Sequence, residues 1–134
     1  MDNSTEEYFI KTFIRKSRQE RLLHELTNEK KRYRGIDRFC HQASELIDLS
    51  KVVMKDDDLV YGNAFVKFIT KHEQDCYVLS TDSFLNERMI SLQEAVDQAN
   101  MSTEAVLIIG KGFAIVFGEA MKKGRDRFLL AEEK

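Results

Sequence analysis

Two apolar runs, Ala105 to Ile109 and Phe113 to Phe117, flank Gly110-Lys111-Gly112, and neither carries a polar residue. A strand with one wet face alternates polar and apolar side chains, whereas a strand covered on both sides is apolar throughout. A short Gly-containing connection between two such runs is a hairpin signal. The spacing therefore predicts a β-hairpin lying centrally in a sheet, with Ile108 and Phe117 buried. The same Gly-Lys-Gly does not match a phosphate loop. That motif needs Gly-x-x-x-x-Gly-Lys-Ser/Thr leading into a helix, and this one leads into a strand.

Other elements are arranged around the hairpin. Ser4 and Glu7 have capping-box spacing, and apolar residues at Phe9, Ile10, Phe13, Ile14, Leu22, Leu23 and Leu26 predict a helix over about 5–27, bending near Ser17. Asn28 to Gly35 reads as a charged connection broken by Gly35. Asp37 is placed to cap a second helix, about 38–48, with Phe39, Ala43, Leu46 and Ile47 on its apolar face. Lys51 to Lys55 reads as a short strand. Asp56-Asp57-Asp58 suits a helix start, and Leu59, Phe65, Phe68 and Ile69 continue it to about Lys71; a strand over 65–70 is the alternative. Cys76 to Ser80 predicts a buried strand. Ser91 with Glu94 opens a helix over about 92–100, and Arg127 to Ala131 follows the Lys123-Gly124 turn signal as a further strand.

The resulting expectation is one soluble α+β domain over 1–134. A helical hairpin (1–50) packs on a small, mostly antiparallel sheet (51–134) with one or two additional helices. Both apolar runs are far shorter than the roughly 20 residues of a membrane span, so no membrane association is expected. Cys40 and Cys76 are too few and too far apart for a disulfide framework, and no leader pattern precedes the first helix, which points to a cytoplasmic protein with reduced thiols.

Charge is segregated along the chain. Residues 11–38 carry ten bases against four acids, while residues 39–134 carry eleven bases against sixteen acids. A basic arm on an acidic body binds something anionic, docks on its own body or a second copy, or is an ordinary solvated helix surface. Within it, Lys30-Lys31-Arg32-Tyr33-Arg34 sets one aromatic among four cations. Stacking an aromatic among phosphate-binding cations is how single strands are held, but no nucleic-acid motif accompanies it and the sequence pI is near 5.9. Lys31, Arg32 and Arg34 are expected to be exposed and to contribute little to folding.

Chemistry-bearing residues fall into few groups. Cys76 lies four residues after His72, but Glu73 and Asp75 beside it disfavour a thiolate. Cys40-His41 with His72 and Cys76 has no zinc-site spacing, and no cofactor or metal is expected. Ser80, Thr81 and Asp82 sit just past a strand end, where binding residues gather. Lys31, Arg32, Tyr33, Arg34, Ser80, Thr81 and Asp82 are therefore the candidate binding residues, with no catalytic residue assigned. The first reading is a small non-enzymatic interaction or regulatory protein of the immunity type, partnering another protein or itself. The second is a nucleic-acid-associated protein using residues 11–38. The third is a small enzyme with a site near Ser80 to Asp82.

Overall fold

A computed structural model of the chain describes residues 2–122 and 124–133, so Lys123 of the expected Lys123-Gly124 turn lies outside the described residues. The architecture is α+β. Six strands form one fully antiparallel sheet in the order β1-β6-β5-β4-β2-β3. The strands are β1 (Val52–Lys55), β2 (Asp75–Ser80), β3 (Met89–Ser91), β4 (Val106–Gly110), β5 (Phe113–Phe117) and β6 (Arg127–Ala131). The helices are α1 (Asn3–Phe13), α2 (Lys16–Thr27), α3 (Arg32–Leu46), α4 (Asp58–Tyr61), α5 (Asn63–Lys71) and α6 (Leu92–Met101).

The sheet is covered on both faces. Tyr77, Leu79, Leu107, Ile109, Ala114, Val116 and Leu130 face α1, α2 and α3. Cys76, Val78, Val106, Ile108, Ile115, Phe117 and Leu129 face α4, α5 and α6. Successive side chains of a strand point to opposite faces, so strands between two helical layers need apolar residues at every position. That is why β4 and β5 carry no polar side chain and occupy central places. The turn joining them uses Gly112 at φ 80, which favours glycine. At Gly110 a Cβ would come within 2.3 Å of the Phe113 ring.

The N-terminal half departs from expectation in three places. The first long helix is two helices, because Ile14 leaves the helix to bridge Ile47, Arg15 N–H donates to Leu46 O at 2.8 Å and Asp48 N–H to Phe13 O at 2.7 Å. Its cap is Asp2, which accepts from Thr5 N–H at 3.1 Å, with Ser4 lying inside α1. Residues 32–37 are helical, so Asp37 is no cap and Gly35 no breaker. Gly35 is where α2 and α3 approach: a Cβ there would lie 2.8 Å from Glu25 Cβ. Downstream, Ser91 caps α6 by accepting from Glu94 N–H at 3.2 Å, as its spacing implied. The stretch after Asp58 is helical but interrupted at Gly62.

Candidate functional site

The basic segment divides into one buried cation and several exposed ones. Arg32, the first residue of α3, is only 9% exposed, which corrects the expectation that it lies on the surface and matters little for folding. Its Nη1 donates to Glu6 Oε1 at 2.6 Å and to Leu26 O at 2.9 Å, and its Nη2 donates to Glu6 Oε2 at 2.5 Å. Glu6, on α1, is 2% exposed. Tyr77 of β2 donates its hydroxyl to Glu6 Oε2 at 2.7 Å and accepts from Asp2 N–H at 3.1 Å. Glu87 Oε1 stands 3.4 Å from Arg32 Nη2. Glu87 adopts φ 64, a conformation rarely used by a residue with a side chain, while its N–H donates to Val78 O at 2.7 Å.

Hydrogen bonding to Glu6 holds the Arg32 guanidinium proton more firmly than usual, against the opposing effect of burial. Burial first, and then the bond to Glu6, pushes the Tyr77 hydroxyl above its ordinary value. A carboxylate and a guanidinium taken out of water together are tolerable only when their bonds are satisfied, and here all but Arg32 Nε have partners.

This anchor fixes the start of α3. Tyr33, next in sequence, is 70% exposed, and Lys30, Lys31 and Arg34 are exposed around it. Among the described residues no carboxylate pairs with these three cations. Other bases of the arm are already engaged: Lys11 with Glu7 at 2.6 Å, Arg38 with the buried Glu25, and Arg15 Nε with Ile47 O at 3.0 Å.

Ser80, Thr81 and Asp82 form a corner at the exit of β2, where Ser80 N–H donates to Asn86 Oδ1 at 3.0 Å in the loop that leads to Glu87. Ser80 is 2% exposed; its hydroxyl donates to Ala105 O at 2.6 Å and accepts from Asp82 N–H at 3.0 Å. Thr81 Oγ1 donates to Glu104 Oε2 at 2.7 Å, and Asp82 Oδ2 accepts from Ser102 Oγ at 3.0 Å. These bonds lock the β2 exit to the segment before β4. The two thiols belong to the cores on opposite sides of the sheet, Cys40 on α3 and Cys76 on β2 facing α5 and α6. Burial pushes both to about 12. His72 stacks on Phe68 with ring centres 4.3 Å apart, and His41 faces Asp37 and Glu119. Among the described residues no group of three or more His, Cys, Asp or Glu is placed to hold a metal, and no helix is long and apolar enough to cross a membrane.

Glu6, Tyr77 and Glu87 were missing from the sequence-based set. A signal for the central pair was present: Glu6 precedes Phe9, Ile10 and Phe13 on one helical stripe, and Arg32 stands in line with Ile36, Phe39 and Ala43. A charge on each of two apolar stripes, of opposite sign, marks a buried pair. No protein-family model, curated protein sequence or solved structure matches the chain significantly, so the reading of its surface rests on the geometry above.

Proposed function

We propose that the protein is a non-enzymatic interaction protein of the cytoplasm that presents Lys30, Lys31, Tyr33 and Arg34 to an acidic partner. The observation that carries this reading is the anchoring of Arg32, next to a 70% exposed tyrosine and three exposed cations that pair with no carboxylate among the described residues. Aromatic and arginine side chains are enriched at interface centres, and unpaired cations steer an acidic partner. Two free, buried thiols accord with a reducing compartment.

The test is a triple variant, Lys30→Glu, Lys31→Glu and Arg34→Glu, used as bait beside the wild type against extract of the native host. Exposed charges of this kind change stability by less than about 0.5 kcal/mol each, so the melting temperature is expected to hold. Partner capture is expected to disappear. Undiminished capture by the folded triple variant sinks the proposal. Retention only of nucleic acid, with steep loss of binding as salt rises, transfers the surface to the nucleic-acid reading.

A further inference from the structure

We infer that the acidic partner is a second copy of this chain, which docks the exposed turn at α4 onto Lys30, Lys31, Tyr33 and Arg34. The inference rests on the proposed function above and names its partner. On the turn, α4 leaves Val60 44% and Tyr61 82% exposed, and Val66 of the following α5 is 61% exposed. Leu59, 2% exposed, packs with Phe65 and Ile69 in the core and holds the turn in place. The turn is entered through Asp56, Asp57 and Asp58, all exposed. Among the described residues no cation forms an ion pair with them. Lys55 precedes them, so the stretch 55–61 keeps an acidic balance.

The two surfaces are complementary, and one chain cannot bring them together. Arg32 anchors the basic one beside β2 and β3, through Glu6, which also holds Tyr77, and through Glu87 at 3.4 Å. The turn at α4 packs instead on β1 and β6. In the order β1-β6-β5-β4-β2-β3, β1 stands four strand spacings from β2, about 19 Å. α3 and α4 also cover opposite faces of the sheet. Charges so far apart are screened from each other at physiological salt, where the screening length is about 8 Å. Each surface is therefore left unneutralised by its own chain, and a second copy carries the complement of both.

Each surface also offers an exposed tyrosine, Tyr33 on one and Tyr61 on the other. Such rings supply apolar contact area with a polar tip, and they are enriched where proteins meet. Because two different patches mate, every added copy still presents one of each. The contact therefore propagates head to tail and does not close as a symmetric dimer. One helical turn against one short segment buries little area, so the association is weak and appears at high concentration.

Analytical ultracentrifugation of the purified chain tests this. At low salt the weight-average mass is expected to climb beyond twice the 15.6 kDa of one copy as concentration nears about 1 mM. It is expected to return to 15.6 kDa in about 1 M salt, where the screening length falls to about 3 Å. Two variants locate the contact: the triple charge reversal described above, and Asp57→Lys with Asp58→Lys. Asp56 is kept because its carboxylate accepts from Arg127 N–H at 3.3 Å. Each variant alone is expected to stay a single copy with the wild-type melting temperature, since these are exposed charges. An equal mixture of the two is expected to associate at low salt, because each reversed surface again meets its opposite. Wild-type protein that stays a single copy to about 1 mM overturns the choice of a second copy. It leaves the proposed function to the extract experiment, where the partner is then another protein. Association that survives either charge reversal, or that mixing fails to restore, runs through another surface and overturns the inference.

Discussion

Arg32 and Glu6 meet in a two-pronged ion pair, 2.6 and 2.5 Å between their paired atoms, that ties the start of α3 to α1 beneath the surface. Tyr77 joins it from the sheet at 2.7 Å, so α1, α3 and β2 converge on one carboxylate. Such a pair adds little over an apolar replacement, yet losing one member strands a buried charge. Arg32→Ala is therefore expected to cost about 3–5 kcal/mol in urea denaturation. Arg34→Ala, two residues away, should cost less than about 0.5 kcal/mol. Replacing the pair together, Glu6→Leu with Arg32→Met, should recover much of the loss. An Arg32→Ala shift as small as that of Arg34→Ala would show the pair is not holding the helices.

The centre of the sheet supplies a second expectation. Ile108 is 0% exposed and faces the α4–α6 side from β4. Ile108→Ala is expected to cost about 2–5 kcal/mol, because lost transfer energy adds to the cavity left behind. A denaturation midpoint within error of wild type would place β4 at the edge of the cooperative unit.

Alkaline pH should weaken the fold. Burial raises the thiols of Cys40 and Cys76 from an ordinary 9.0 to about 12. Burial and Glu132 likewise raise the Tyr8 hydroxyl from 10.0 to about 12. Above pH 9 the unfolded chain loses protons that the folded chain keeps, so stability falls as pH rises toward 12. Measured urea midpoints should decline steadily from pH 8.5 upward, and Cys40→Ala should flatten part of that slope. The same burial should make both thiols slow toward a thiol reagent at neutral pH, followed by mass. A flat midpoint to pH 10.5 with rapid modification of Cys76 contradicts this account and reopens a nucleophilic role.

Arg125 offers a fourth test. It donates to Gly118 O at 2.5 Å, Ala99 O at 2.7 Å and Glu104 O at 2.6 Å, and lies 5.4 Å from the Phe117 ring centre. One planar fork thus satisfies carbonyls from three segments. Lysine cannot reproduce that geometry. Arg125→Lys is expected to cost about 1–3 kcal/mol and to speed amide exchange in the segments it joins. Unchanged exchange at Ala120 and Ser102 would show that the fork is not what holds them.

Local pattern was sufficient for β4, β5, β6 and α6 in the second half of the chain. The all-apolar runs of β4 and β5, the β-rich stretch 127–131 and the Ser91–Glu94 cap each report an interaction within a few residues, or burial on both faces. The three-residue β3 was not legible, because it is too short for a period and owes its existence to pairing with β2. Nor was the commitment of the Ser80 hydroxyl to Ala105, 25 residues away.

In the first half, the amino-acid order alone determined that helices form and which stripes are apolar, since those follow from spacing and side-chain chemistry. Only the tertiary structure decided where they break and which basic residue is buried. Ile14 leaves its helix because Ile47 offers a bridge, and Gly35 lies inside a helix, where α2 comes so near that a Cβ would stand 2.8 Å from Glu25 Cβ. Arg32 goes inside and Arg34 outside because Glu6, 26 positions away, supplies a buried carboxylate to one of them. Desolvating a guanidinium is unfavourable until such a partner is brought into place, and that placement is a property of the assembled helices and sheet, absent from any local stretch of sequence.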